Sequence, residues 1–120
     1  MKQHIIVQGD VLLRPYAGAV PVTASVPADP RYAGLVLAEG EETGYAHFVQ
    51  GPARLIEATA SSPRLLVIDA NDALDAAQAI LRHALSGAVE APAKHPSQPL
   101  QPGVYEVTLQ VEERVGRVTD

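Results

Sequence analysis

Short apolar runs bounded by glycine or proline follow one another along most of this chain, and they constrain its fold more than any other feature. Nine glycines and ten prolines interrupt the sequence, so few segments are long enough for a helix. Runs of roughly four to eight residues rich in Val, Ile, Thr and Tyr are typical of β-strands. We interpret as strands QHIIVQ, DVLLRPY, YAGLVLAEG, YAHFVQ, ARLIEAT, RLLVID and GVYEVTLQVEE. The pattern predicts a mainly β fold, either a small barrel or a two-sheet sandwich.

One segment has a different period and predicts a single inserted α-helix near residues 72–86. In NDALDAAQAILRHALSG the apolar residues recur at intervals of three and four. Asn71 or Asp72 can cap the start of this helix, and Gly87 can end it. His83 would then lie in the last turn, as a cation beside the C-terminal end of the helix dipole.

Length, charge and cysteine content narrow the classes of function. The 120 residues form one domain, residues 1–120, because two independent cores would not fit. The absence of Cys excludes disulfides, thiol catalysis and cysteine-bound zinc. A net charge of −5 without a basic cluster argues against nucleic acid as a partner. No apolar run approaches the roughly 20 residues of a membrane span, so we expect a soluble, cytoplasmic protein without a membrane partner.

The composition also predicts self-association. The core must be aliphatic, since the chain has one Phe, no Trp and four Tyr. Such a core stabilises a small domain only modestly, so oligomerisation would help. The long strand GVYEVTLQVEE contains no proline to protect its edge. We therefore expect a homo-oligomer, with this strand or the helix at the contact, and another protein as the alternative partner.

The stretch GEETGYAH, residues 40–47, has the residue types of a functional site. Tyr45 and His47 are two residues apart on the predicted strand and would share one face, whereas Ala46 and Phe48 would share the other. Phe48 is the only phenylalanine, so its side is the natural core face. Tyr45 and His47 would then line either solvent or an interior pocket.

Several motifs resemble those of an uncharacterised family of small bacterial and phage-encoded proteins. The matching segments are VQGDVLLRP, AEGEETGYAHFV, ARLIEA, RLLVID, HPSQPLQPGVYEVTLQVEE and GRVTD. The family motifs are QGDVLL, GExTGHAH, HEEH and LPPGxYxVxxQ. The resemblance covers most of the chain apart from the helical segment, and it implies a histidine pattern without an activity. A weaker likeness is to small cupin-type barrels, in which an H-x-H strand and a later histidine hold a metal.

The resemblance implies which residues of this chain form the pocket. Tyr45 stands where the family has the first histidine of its GExTGHAH motif, and His47 matches the second. A gapless alignment of the HEEH motif keeps His95 and replaces its partner by Pro92. Alternatively, an insertion before His95 brings in His83 as a third ligand. We prefer the gapless alignment, because His83 fits the helix, and expect a pocket of Tyr45, His47 and His95 without a complete metal site.

These observations favour a non-enzymatic binding or assembly module that self-associates and has no cofactor. This chain keeps fewer histidines than the family motifs contain, and its sequence shows no complete set of catalytic residues. The alternative is a cupin-like barrel that binds a divalent metal, either as a non-catalytic metal-binding protein or as a metal-dependent enzyme. Its ligands would be His47, His95 and, in the second alignment, His83. The resemblance adds a phage-encoded assembly as the alternative location.

Overall fold

The computed structural model describes residues 4–39, 45–69, 78–85 and 97–109. In these ranges the chain forms strands that all pair antiparallel and build two sheets, of order β1-β2-β9-β6-β5 and β3-β4-β7-β8. Within the described residues the sheets do not close into a barrel, so the mainly β prediction is confirmed as two antiparallel sheets. The strands are β1 Ile6–Gln8, β2 Val11–Pro15, β3 Leu35–Glu39, β4 Tyr45–Gln50, β5 Ala53–Ile56, β6 Leu65–Ile68, β7 Ile80–Leu85, β8 Gln98–Pro99 and β9 Gly103–Leu109.

The helix predicted near residues 72–86 is wrong for the part of that segment that the structure describes. Ile80–Leu85 is strand β7, which pairs with β4 along its whole length. Leu81 and His83 are buried and alternate with the more exposed Ile80 and Arg82, so the segment also carries the period of a strand. Pairing with β4 outweighs the local helical spacing, because tertiary contacts override a weak intrinsic preference. The proposed caps Asn71, Asp72 and Gly87 lie outside the described residues. Among the residues that the structure describes, no helix is long and apolar enough to cross a membrane.

The main core lies between the two sheets and is aliphatic apart from one tyrosine. On β9, Tyr105 and Val107 face this core and Leu109 packs against it, as the alternation along the strand predicts. The Tyr105 hydroxyl is satisfied because it donates to the Gln101 carbonyl at 3.0 Å. The buried members of the core are Val11, Leu13, Leu35, Leu37, Val49, Leu55, Leu66, Ile68, Ala79, Leu81, Leu100, Tyr105 and Val107.

The position of β9 corrects the prediction about self-association. This strand lies in the middle of its sheet, where β2 pairs with residues 105–109 on one edge and β6 pairs with residues 103–106 on the other, so most of each edge is already occupied. It cannot offer an open edge to a second copy there. Among the described strands the sheet edges are β1 and β5 in one sheet and β3 and β8 in the other.

Polar side chains connect the two sheets near these edges. Gln98 of β8 donates from Nε2 to the Val7 carbonyl of β1 at 2.9 Å. Arg64, just before β6, donates from its guanidinium to the carbonyls of Leu37 at 2.8 Å and Val36 at 3.2 Å. The register of β3 shifts at that point, and such a bulge turns carbonyls away from the ladder. The arginine therefore satisfies acceptors that the strand itself leaves out.

Candidate functional site

Strand β4 presents two ring side chains on one face. Tyr45 and His47 both contact the ring of His83, with centroid distances of 5.1 Å and 4.2 Å. Ala46 and Phe48, the alternate residues, belong to a separate buried cluster. The strand therefore divides its side chains between two faces as the spacing of two residues predicts.

The face that carries Tyr45 and His47 points toward the interior between the sheets. Val49, two residues after His47, belongs to the main core, whereas Phe48 packs against Tyr32 in the smaller cluster on the outer side. Ala46 and Phe48 are buried as predicted, but in this smaller cluster, and the main core lies on the other side of β4. Aliphatic residues from both sheets fill the interior, so the single phenylalanine lies on the other side of β4. Tyr45 and His47 lie on the side of β4 that faces the main core, and both remain partly exposed.

Strand β7 brings His83 directly opposite His47. The two residues are register partners, their rings are stacked with an interplanar angle of 22°, and His83 is buried. Residues that pair across antiparallel strands have Cβ atoms about 5 Å apart, which allows such ring contact. His83 is thus the imidazole that the described structure places beside His47, which the preferred alignment did not foresee. His95 lies outside the described residues.

A glutamine from the other sheet completes this cluster, and sequence reasoning did not identify it. Gln8, the last residue of β1, is only 2% exposed. Its Oε1 lies 2.9 Å from Nδ1 of His47, and its Nε2 donates to the Leu81 carbonyl at 3.2 Å. One side chain of the first sheet therefore contacts both β4 and β7 of the second. We call Gln8, Tyr45, His47 and His83 the interior polar cluster.

The turn between β1 and β2 fixes the inward direction of Gln8. Gln8 pairs with Val11 across the two-residue turn of Gly9 and Asp10, and Gly9 has a positive φ of 59°. A glycine with positive φ at the first turn position suits a tight hairpin, as the Gly9-Asp10 step predicts. A slip of one residue would turn Gln8 to the outside, because side chains alternate between faces. The Gly9-Asp10 turn directly after Gln8 is the one sequence signal that could have drawn attention to this residue.

A family model matches residues 7–110 of the chain, under the description Domain of unknown function (DUF8820). The chain belongs to this family. The expected membership in a family of unknown function is confirmed, while the motifs and the bacterial or phage origin remain predictions. The matched range of this DUF8820 domain contains the whole interior polar cluster. The chain matches no curated protein and no solved structure.

Carboxylates of the DUF8820 domain pair with arginines in the described ranges. Asp29 accepts from the Arg31 side chain at 2.8 Å and from its backbone N–H at 2.9 Å, and these hydrogen bonds hold the pKa of Asp29 below its usual range. The guanidinium of Arg31 also bonds to Glu39. The pKa of Arg31 is raised, mainly by its hydrogen bond to Asp29 and next by its hydrogen bond to Glu39. Further pairs join Glu57 to Arg64 and Asp69 to Arg54, at 3.4 Å and 3.7 Å.

The arrangement of the two imidazoles suits stacking better than chelation. Over the described ranges of the DUF8820 domain, no group of three or more His, Asp and Glu is placed to hold a metal ion. Imidazole binds metals through a lone pair in the ring plane. Because the planes of His47 and His83 are within 22° of each other at 4.2 Å, these lone pairs do not converge on a point between the rings. The cluster presents stacked rings and hydrogen-bonding atoms beside the aliphatic core, with Gln8 and His83 buried and Tyr45 and His47 partly exposed.

Proposed function

We propose that this DUF8820 domain is a non-enzymatic binding module whose ligand contacts the interior polar cluster. The observation that carries the proposal is the hydrogen bond between His47 of one sheet and Gln8 of the other. Burying polar groups costs free energy that an aliphatic core does not lose, even when the groups are hydrogen-bonded. Positions at which a chain departs from the simplest stable core are expected at functional sites.

The partner of His47 favours binding over acid–base catalysis. A catalytic histidine is typically oriented by a carboxylate, which stabilises the imidazolium that forms during proton transfer. Here Nδ1 of His47 lies against the neutral amide of Gln8. Meanwhile Asp29 and Glu39 both bind Arg31. A neutral orienting group supports a fixed hydrogen-bonding role for the imidazole.

The first test asks whether the interior polar cluster is kept for function at the expense of stability. The variant Gln8→Leu/His47→Leu/His83→Leu is expected to gain about 1 kcal/mol, which corresponds to a melting temperature roughly 4 °C higher. Gln8→Leu alone is the matched control and is expected to lose about 1 kcal/mol, because it removes the acceptor from a half-buried imidazole. Thermal unfolding followed by circular dichroism measures both. A triple variant that melts well below the parent would mark the cluster as structural and remove this support.

The second candidate is a cupin-like metal-binding domain, here built from two open sheets, and one observation favours it. Metal-binding histidines commonly donate their other ring N–H to an oxygen that fixes the ring, and Gln8 Oε1 lies in that position beside His47. Its ligands would be His47 and His95, because the stacked ring of His83 does not direct a lone pair to the same point as His47. Elemental analysis of the purified protein tests it. Near-stoichiometric zinc, iron, nickel or manganese that disappears in His47→Ala would rank this function first, and metal-free protein would leave the binding module first.

We also propose that the domain self-associates, now through the outer edge of β1. Ile5 and Val7 on this edge are 59% and 52% exposed, which is unusual for large aliphatic residues beside an open sheet edge. A second copy that pairs there would cover both side chains. Gln98 already donates to the Val7 carbonyl, so a second copy would contact this edge through the exposed side chains of Ile5 and Val7.

Val7→Lys tests the contact through β1. The variant is expected to shift the domain from oligomer toward monomer, because a lysine on the edge would lie in the apolar contact. Light scattering at tens of micromolar protein measures the mass. Val22→Lys is the control, since Val22 is fully exposed and lies outside the strands. A monomeric parent protein at that concentration, or an oligomer unaffected by Val7→Lys, would contradict the proposed contact.

A further inference from the structure

We infer that the domain forms a two-fold dimer through the outer face of β1, β2 and β9, in which Arg14 of each copy meets Glu106 of the other. The inference rests on the proposed self-association and names the surface and the charge pairing that would carry it. Side chains on these strands alternate between the main core and the opposite, outer face. The outer set, which we call the open outer face, is Val7, Leu12, Arg14, Glu106 and Thr108.

The neighbouring part of the same outer side is covered by the chain itself. Ile56 of β5 and Leu65 and Val67 of β6 are buried there, away from the main core. Tyr16 and Val20, from the segment that follows β2, pack against them. At β5 and β6 the sheet is therefore packed on both of its sides, which shows that its outer side is built for a cover.

The open outer face has no comparable cover among the residues that the structure describes. Val7 is 52% exposed, and Leu12, its register partner, is half-buried beside it. Ile5, which directly precedes β1, is 59% exposed. A second copy packed here would remove this apolar surface from water, which is the main favourable contribution to most protein association.

Two opposite charges adjoin this apolar surface and indicate which partner fits it. Arg14 of β2 and Glu106 of β9 are register partners, and both side chains project from the open outer face. In the described ranges neither of them forms an ion pair, whereas other arginines and carboxylates do. The chain has a net charge of −5, so two copies repel each other unless opposite charges meet at the contact. A two-fold axis through this face would bring Arg14 against Glu106 twice, so the face is complementary to itself.

Charge reversal at the two positions tests this pairing. Arg14→Glu and Glu106→Arg are each expected to raise the dissociation constant of the dimer about tenfold, because symmetry puts two like-charge contacts into each interface. Sedimentation equilibrium at low salt measures the constant. Arg54→Glu is the matched control, since it changes the net charge equally on β5, where Arg54 pairs with Asp69 outside the open outer face. It should change the dissociation constant by no more than about twofold.

An equimolar mixture of the two charge-reversed variants separates a contact between copies from a change within one copy. In a mixed dimer every glutamate at these positions meets an arginine of the other copy. The mixture is therefore expected to regain the dissociation constant of the parent protein, and native mass spectrometry should show the mixed dimer in excess over both homodimers. Mixing would not repair a defect confined to one chain.

The outcomes distinguish this inference from the proposal on which it rests. A parent protein that is monomeric at tens of micromolar would overturn both. A parent dimer that neither reversal weakens, or a mixture that does not regain the parent constant, would overturn the pairing of Arg14 with Glu106 and leave self-association to another surface. If thermal melting shows that a reversal unfolds the domain, Arg14→Gln and Glu106→Gln, which only remove the charge, take its place and should raise the constant about threefold. An unchanged constant in both would overturn the inference.

Discussion

Leu81→Asp is expected to lower the free energy of unfolding by roughly 4 kcal/mol, a large part of the roughly 5–15 kcal/mol that stabilises a typical domain. Leu81 is 0% exposed, and it lies on β7 between β4 and β8. The aspartate would place a charge in the aliphatic core and remove a leucine that packs against both sheets. Urea unfolding followed by circular dichroism measures the loss.

Val22→Asp is the matched control for this substitution, because it introduces the same charge at a fully exposed valine. It should change stability by no more than about 0.5 kcal/mol. If Leu81→Asp unfolded at the same urea concentration as Val22→Asp, β7 could not lie in the core. The position of β7 would then have to be revised, and that of His83 with it.

Gly51→Ala is expected to lower stability by roughly 3 kcal/mol, a large effect for one methyl group. Gly51 follows β4 and has a φ of 113°, a conformation that residues with a side chain rarely adopt. An added Cβ would lie 2.7 Å from Ala79 Cα and 2.9 Å from the Gln78 carbonyl oxygen. Both are backbone atoms at the entry to β7, so they cannot move aside as the tip of a side chain would. Urea unfolding again gives the change.

Gly18→Ala is the control for Gly51→Ala, because its added methyl group would crowd a side chain and not the backbone. An added Cβ at Gly18 would lie 2.5 Å from the Tyr16 hydroxyl, the far end of a flexible side chain. Tyr16 can rotate away, so this variant should lose no more than about 1 kcal/mol. If both variants lost the same free energy of unfolding, the backbone of residues 78–79 would have to move to accommodate the methyl group at position 51, which would contradict the prediction.

Much of the strand content could be predicted because it depends on local pattern. The alternation on β9 identified Tyr105 and Val107 as core residues, and the Gly51-Pro52 step ends β4 where the sequence indicates. The same local pattern could not show that the helix predicted near residues 72–86 was wrong. Ile80–Leu85 satisfies both periods over six residues, and only its pairing with β4 decides between them.

The sequence could predict only the part of the site that lies on a single strand. Spacing alone places Tyr45 and His47 on a common face. His83 joins them through the register between β4 and β7, and Gln8 through the stacking of two sheets. Neither relation follows from neighbouring residues in the sequence. Phe48 was assigned to the core by its residue type, which says nothing about which side of the sheet the aliphatic residues fill.

The central position of β9 has a consequence for how the chain folds during synthesis. Val11 of β2 pairs with Leu109, at nearly the opposite end of the described chain, and Leu65 of β6 pairs with Glu106 on the same strand. Until residues 103–109 leave the ribosome, β2 and β6 therefore each lack a neighbour. Contacts so distant in sequence slow folding, and unpaired strands are prone to aggregate meanwhile. Truncation before β9 would thus leave two open inner edges rather than a slightly smaller domain.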